Sequence, residues 1–305
     1  MKWGIVGLED PMVHMFLKGF SESNPGELAG FTGVGQEKCQ MIAQKYNVRH
    51  YADVAALVHE VDAVLVFTET ADRAAAIKRV ATFGKHVFCN PPFALTMEEA
   101  RACAEFCTKQ GVMLESVFPL RFAPSVLRVK AMLEEGQLGR VVAIRGTAIF
   151  DAALPAIDLM RWLADDEFRS VYAEIGSLFP DGDDCVLLTV DFVRGAIGSL
   201  GPSGAKSSFS DAEEDMDFEI IGTGGVVRLR IFGQELSVIN NRDRRISSRF
   251  WGDHPALKAV EAYGARIQTG GWMRAAENAG MRAMAVSEAA RRSAATGQPA
   301  AVDYR

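Results

Sequence analysis

Between Lys2 and Phe118 five short apolar runs are separated by four helix-like stretches, and this alternation constrains the fold more than any other feature. Lys2–Gly7 (KWGIVG) predicts a buried strand, Pro11–Phe20 the helix after it, Glu27–Val34 a second strand and Gln36–Tyr46 a second helix. Val61–Thr68 (VDAVLVFT), Ala71–Phe83, Lys85–Cys89, Met97–Gln110 and Val112–Phe118 continue the series. Helices of about a dozen residues between apolar strands specify βαβ units, and such units bury both faces of a parallel sheet. The expected first domain, over residues 1–122, is a Rossmann-type, doubly wound parallel sheet of the dinucleotide-binding kind.

The pattern changes after Pro124. Ser125–Glu135 predicts a helix that ends at Gly136, a good C-cap residue. Strands then dominate: Val141–Phe150, Val171–Leu178, Cys185–Val193, Ala196–Leu200, Phe218–Gly222, Val226–Phe232 and Glu235–Ile239. Only the first two are separated by a helical stretch, Ala156–Leu163. Val227, Leu229 and Ile231 alternate with Arg228 and Arg230, the period of a half-buried strand. Arg194-Gly195 and Gly224-Gly225 supply hairpin-type turns. The second domain, residues 123–305, is thus α+β, with a large open, mostly antiparallel sheet. One face packs its own helices, and the free face suits a homo-oligomer. An Ala-rich helix over Ala275–Thr296 closes the chain and has the option of packing on either domain. Pro202–Asp217 is the one polar stretch long enough to be mobile.

Composition then removes whole classes of function. A chain of 305 residues exceeds one ordinary core, and its 49% apolar and 24% charged residues are those of a globular protein. The net charge of −6 repels phosphate backbones, and the run Arg242-Asp243-Arg244-Arg245 is too short to offset it, so no nucleic-acid partner is expected. The five cysteines, Cys39, Cys89, Cys103, Cys107 and Cys185, are odd in number and scattered. They form neither a disulfide framework nor a metal set, and the five histidines show no ligand spacing. No apolar run approaches the roughly 18 residues of a membrane span. With no signal-type apolar core before Glu9 and Asp10, a cytoplasmic protein with no membrane partner is expected.

The first domain directs attention to the turn after its first strand. A dinucleotide fingerprint there reads G-x-G-x-x-G, because small residues let backbone approach a pyrophosphate and a helix approach a strand. This chain reads Gly7-Leu8-Glu9-Asp10-Pro11-Met12, with Glu9 and Met12 in the second and third glycine positions. A carboxylate about 4 Å from one phosphate charge costs on the order of 4 kcal/mol at an effective dielectric of about 20. A loop that turned Glu9 outward would escape this cost. The second strand ends in Gly33-Val34-Gly35, without the acid that usually holds the ribose hydroxyls.

Nearly end to end, the chain resembles the Gfo/Idh/MocA family of NAD(P)-dependent sugar and cyclitol oxidoreductases. The resemblance is carried by Gly84-Lys85-His86-Val87-Phe88-Cys89, by Pro92 with Ala94-Leu95-Thr96 and Glu98-Glu99-Ala100, and by Arg121-Phe122 with Pro124. Glu135-Gly136 through Gly139, Asp158-Leu159-Met160-Arg161-Trp162-Leu163 and Phe218–Gly225 match further family segments in order.

The resemblance implies NAD or NADP as cofactor, a small sugar or cyclitol as substrate, and cofactor contacts at Gly7, Leu8, Met12, Thr68 and Asn90. It implies substrate contacts at Arg121, Asp151 and Asp158. The family's catalytic pattern is interrupted. Its Glu-Lys-Pro, whose Lys lies beside the nicotinamide and the reacting carbinol, reads Asn90-Pro91-Pro92 here. Its Asp-x-Gly-x-His reads Asp151-Ala152-Ala153-Leu154-Pro155, which keeps the Asp and loses the His. Hydride transfer from an alcohol needs a group to take the hydroxyl proton, and proline cannot. Asp151 is left as a replacement base, a substrate contact or a helix N-cap. Arg121 either meets an anionic group or braces structure, and Asp158 with Arg161 reads as a polar pair on a helix face. His14 is the histidine nearest the loop.

The leading expectation is a family member with weak or absent catalysis, acting as a metabolite-binding subunit or as partner to an active homologue. An active oxidoreductase with a relocated acid/base is the alternative, followed by a non-enzymatic sugar-sensing regulator.

Overall fold

The computed structural model describes residues 1–22, 27–148, 153–176, 185–202, 216–231, 235–240, 245–249, 255–269 and 278–304. The chain divides into two compact units. One comprises Met1–Pro119 and His254–Arg282, the other Leu120–Asp253 and Ala283–Arg305.

The first unit is built on five parallel strands: β1 (Lys2–Val6), β2 (Glu27–Thr32), β3 (Ala63–Val66), β4 (His86–Cys89) and β5 (Leu114–Ser116). Their order is β2-β1-β3-β4-β5, and every pairing is parallel. The helices between them are α1 (Val13–Glu22), α2 (Gln36–Tyr46), the short α3 (Val54–Val58), α4 (Thr70–Thr82) and α5 (Met97–Lys109). Central strands covered on both faces must be apolar on both, and Ala63–Val66 is buried throughout. At the start of α5, Thr96 accepts the Glu99 N–H in its side chain at 3.2 Å, which satisfies one of the amides a helix leaves open. The alternation thus gives the sheet that periodicity predicts.

A further helix, α8 (Pro255–Gln268), joins this unit and packs on α1. The sequence reading above assigns no element there, although Ala256, Leu257, Val260 and Tyr263 recur at helical spacing and are buried. Tyr263 stacks on Phe88 at a centroid distance of 4.7 Å and donates its hydroxyl to the Ser116 carbonyl at 3.2 Å. Arg266 pairs with the buried Glu115 carboxylate.

Among the described residues the second unit holds a nine-stranded sheet together with helices. It contains α6 (Pro124–Glu134), β6 (Val141–Ala148), α7 (Ala153–Ala164), β7 (Phe168–Gly176), β8 (Cys185–Phe192) and β9 (Ile197–Pro202). It continues with β10 (Asp217–Gly222), β11 (Gly225–Arg230), β12 (Glu235–Asn240), β13 (Arg245–Arg249), α9 (Ala279–Thr296) and β14 (Ala300–Ala301). The strand order is β13-β12-β11-β10-β6-β9-β8-β7-β14, antiparallel except for the parallel pair β6–β9. That one parallel pair makes the sheet mixed, because α7 and the β7–β8 hairpin intervene between β6 and β9 in the chain.

The Ala-rich helix starts at Ala279, and residues 275–277 lie outside the described residues. Its residues belong to the first unit up to Arg282 and to the second from Ala283. Most of the polar stretch Pro202–Asp217, along with His254, Trp251, Trp272 and Arg242–Arg244, also lies outside the described residues.

Candidate functional site: the carboxyl edge of the parallel sheet

In an open α/β sheet, ligands gather where strand order reverses, at the carboxyl ends of the strands. Here that edge carries Gly7 after β1, Thr68 after β3 and Asn90 after β4. Gly7 has φ +91°, a conformation that suits glycine, and a Cβ there would lie 2.5 Å from the Thr68 nitrogen. The backbones of the first and third strand ends touch because this residue has no side chain.

Arg73, on α4, ties the edge together. It is 5% exposed and donates to the Thr68 carbonyl at 2.8 Å, the Asn90 carbonyl at 3.2 Å and the Pro92 carbonyl at 3.1 Å. It also forms an ion pair with the Asp10 carboxylate, which in addition accepts from the Asn90 side-chain amide at 2.6 Å. The other oxygen of Asp10 accepts the Met12 N–H at 2.9 Å. Asp10 is therefore a structural anion at the start of α1, neutralised by a guanidinium. No single residue type announces this network; Asp10 and Arg73 are 63 positions apart in the chain.

The loop does not turn Glu9 outward. Its Oε2 accepts the N–H of the neighbouring Leu8 at 3.0 Å, and its Oε1 is buried with no hydrogen-bond partner. Lys38 donates to the Leu8 carbonyl at 2.6 Å. The other amides of the turn are also committed. Gly7 N–H donates to the Thr32 carbonyl, and those of Glu9 and Asp10 both donate to the Phe67 carbonyl. Val13, His14 and Met15 donate to carbonyls of Asp10, Pro11 and Met12, and Pro11 has no N–H to offer. From Gly7 to Met15 every backbone donor has an internal acceptor. Thr68 Oγ1 and Asn90 Oδ1, like Glu9 Oε1, are buried oxygens without a partner.

A dinucleotide pyrophosphate is held at such a turn by unpaired N–H groups and a favourable local field. This turn offers no unpaired backbone N–H and presents a carboxylate in the position that should face the phosphates, so the residues present do not fit that group. His14, on the exposed side of α1, lies 3.4 Å from the Tyr46 hydroxyl. Burial, helped by Lys45 and Lys38, lowers its pKa, which favours the neutral imidazole.

In the second unit Arg121 and Asp158 close on each other. Two parallel bonds join them, with Arg121 Nε to Asp158 Oδ2 at 2.7 Å. Asp158 is 1% exposed. Arg161, one helical turn along, bonds Glu167 at 2.6 Å through both Nε and Nη2 and approaches Asp158 at 3.9 Å. Trp162 lies under the Arg121 and Lys130 cations at 5.7 and 5.2 Å. The structure thus makes Asp158 the partner of Arg121 as well as of Arg161. Asp151 lies outside the described residues, and Pro155, in the position of the expected His, is within α7. Among the described residues no group of three or more His, Cys, Asp and Glu is placed to hold a metal ion, and no helix is long and apolar enough to cross a membrane.

Residues 1–118 match the model of an oxidoreductase family with an NAD-binding Rossmann fold, GFO_IDH_MocA, and residues 145–228 match the GFO/IDH/MocA C-terminal domain. The chain belongs to the Gfo/Idh/MocA oxidoreductase family. Among its relatives are an uncharacterized oxidoreductase, YrbE, of Bacillus subtilis strain 168, 25% identical over 83% of this chain and 82% of that protein. The inositol 2-dehydrogenase of Rhizobium meliloti strain 1021 is 25% identical over 77% of this chain and 79% of its own. A levoglucosan dehydrogenase, solved in complex with NADH and levoglucosan, has the same fold. It is 21% identical with a TM-score of 0.84, over 99% of each chain. Membership brings the Gfo/Idh/MocA fold and its sugar and cyclitol relatives.

Proposed function

We propose that this protein is a Gfo/Idh/MocA member of sugar or cyclitol metabolism in which hydride transfer is weak or absent. It serves as a metabolite-binding or partner subunit. The observation that carries the reading is Pro91. It stands after β4 where the resemblance places a lysine to manage the proton of the reacting carbinol. Asp10 is bound by Arg73 and Asn90. The family pattern's His position is Pro155. NAD or NADP is the cofactor that the family implies, although the turn after β1 does not fit its pyrophosphate, and the relatives named for inositol and levoglucosan suggest a polyhydroxylated ring as the small molecule.

The partner is a second copy. On the helix-free face of the large sheet, the register aligns Ile239, Val226, Ile221, Ala143 and Ile197 in one row across five strands. Beside it runs a row of Ser237, Arg228, Glu219, Arg145 and Ser199. An apolar row on a helix-free sheet face packs against the same row of a second copy about a two-fold axis, while Glu219 is already paired with Arg145 and Arg228 of its own chain, so a homodimer is the occupant.

The test is turnover of inositols and levoglucosan with NAD+ and NADP+, beside an inositol 2-dehydrogenase as reference. Without the proton-handling pair, kcat should fall about 10²–10⁴-fold below the reference. A rate within tenfold of the reference overturns the reading.

A further inference from the structure

We propose that Glu9 is a built-in anion that closes the nucleotide crevice to phosphate, so that the chain's own carboxylate occupies the place of a cofactor's pyrophosphate. The proposal deepens the reading above and rests on it only for the location of the site. It concerns binding, whereas that reading concerns proton transfer.

Two observations carry it. The first is the complete pairing of the turn's amides. A backbone donor that is buried must find an acceptor, and in nucleotide-binding turns the phosphate oxygens are that acceptor. Here the Leu8 N–H finds Glu9 Oε2 at 3.0 Å, and each other donor from Gly7 to Met15 finds an internal oxygen. A phosphate entering the turn would have to break one of these bonds and sit against a carboxylate.

The second observation is the unpaired oxygen. Glu9 Oε1 is buried without a donor. A residue selected only to cap the turn would satisfy both oxygens, as Asp10 does with Met12, Asn90 and Arg73. Glu9 satisfies one and leaves the other, so it contributes negative charge to the edge beyond what the turn needs. Thr68 Oγ1 and Asn90 Oδ1, also unpaired at the neighbouring strand ends, add acceptors and no donors to the same edge, apart from the Thr68 hydroxyl proton. Specificity against phosphate here comes from a repulsive element together with the removal of an attractive one.

Calorimetric titration of the full chain with NADH and with NADPH tests this, in the wild type, E9A and E9G. The wild type should give no binding heat up to millimolar cofactor. The variants should bind at least about a hundredfold more tightly, as the removal of one like charge near phosphate predicts. Amide hydrogen exchange supplies the second readout. The Leu8 N–H should exchange more slowly in the wild type than in either variant, and NADH should restore its protection in the variants. Running both variants keeps a folding defect in one from deciding the result. Micromolar binding by the wild type overturns the proposal, as do variants as silent as the wild type. The function reading is decided separately, by turnover of the E9A and E9G variants at saturating cofactor, where a lost rate reflects proton handling and not binding.

Discussion

Arg73 shows how much of the edge depends on one side chain. Its guanidinium reaches the ends of β3 and β4 and the carboxylate of Asp10, with both charged groups at least nine-tenths buried. Removing one partner of such a pair strands the other charge and typically costs about 3–5 kcal/mol, whereas removing both costs far less. R73M should therefore lower the urea midpoint sharply, and D10N/R73M should recover part of the loss, because the carbonyls of Thr68, Asn90 and Pro92 lack their donor in both variants; equal losses in the single and double variants would show that Asp10 is not the group stranded. Little of this was readable in the sequence. Glu9 and Met12 stand out against the G-x-G-x-x-G spacing, and Pro91 and Pro155 only against the pattern that the family resemblance implies. Nothing comparable marks Arg73, a helix residue whose partners lie up to 63 positions away. Glu9 itself was legible as a charge in the wrong place, but its direction was not. A side chain that bonds its neighbour's amide and one that points into solvent have the same sequence.

At the scale of elements, periodicity did well where elements were long and apolar, and less well elsewhere. The parallel strands and the helices between them lie close to their expected positions. The short α3, of five residues, gives no periodic signal to detect, and the two-residue β14 exists only because β7 offers it an edge. The strand β7 begins at Phe168, ahead of the expected Val171, because Phe168 is buried against Phe192 at a ring-centroid distance of 4.8 Å across the β7–β8 pair. Strand register also builds the proposed dimer face, since Ile221 meets both Val226 and Ala143 in the row. Ile197 is 59% exposed and Ile239 37%, large values for apolar side chains on one sheet face. Replacing Ile221 by Asp should place a charge in the centre of this stripe. Sedimentation should then show the dimer dissociating at least tenfold more readily, with the fold retained by circular dichroism. A wild type that sediments as a monomer at micromolar concentration would remove the second copy from the proposal.

Stability of the whole molecule should respond to acid through His86 and His14. Burial lowers the pKa of His86, against an opposing pull from Asp62, and its Nδ1 accepts the Met113 N–H at 3.1 Å. His14 is lowered as well. In both cases the folded chain resists a proton that the unfolded chain accepts from the ordinary value of 6.5 downward. Their contribution is full above that value and is lost as pH falls from it through the lowered folded-state pKa. The melting temperature should accordingly be lower at pH 5.5 than at pH 7.5, and the His86 imidazole should titrate below 6.5 by NMR. A titration at or above that value would contradict the assignment.

The sequence by itself determined the order of strands and helices, the parallel sheet, the large mostly antiparallel sheet and the resemblance to a family. These follow from the alternation of apolar and polar residues over a few positions, a property of neighbours in the chain. Only the tertiary structure decided that α8 joins the first unit, that Arg121 closes on Asp158, and that every amide of the first turn is already paired. Each of those outcomes is a choice among distant partners, made by burial: once water is excluded, a donor or charge must take whichever partner the fold brings within about 3 Å. That distance is a property of the folded chain and is written in no local stretch of it.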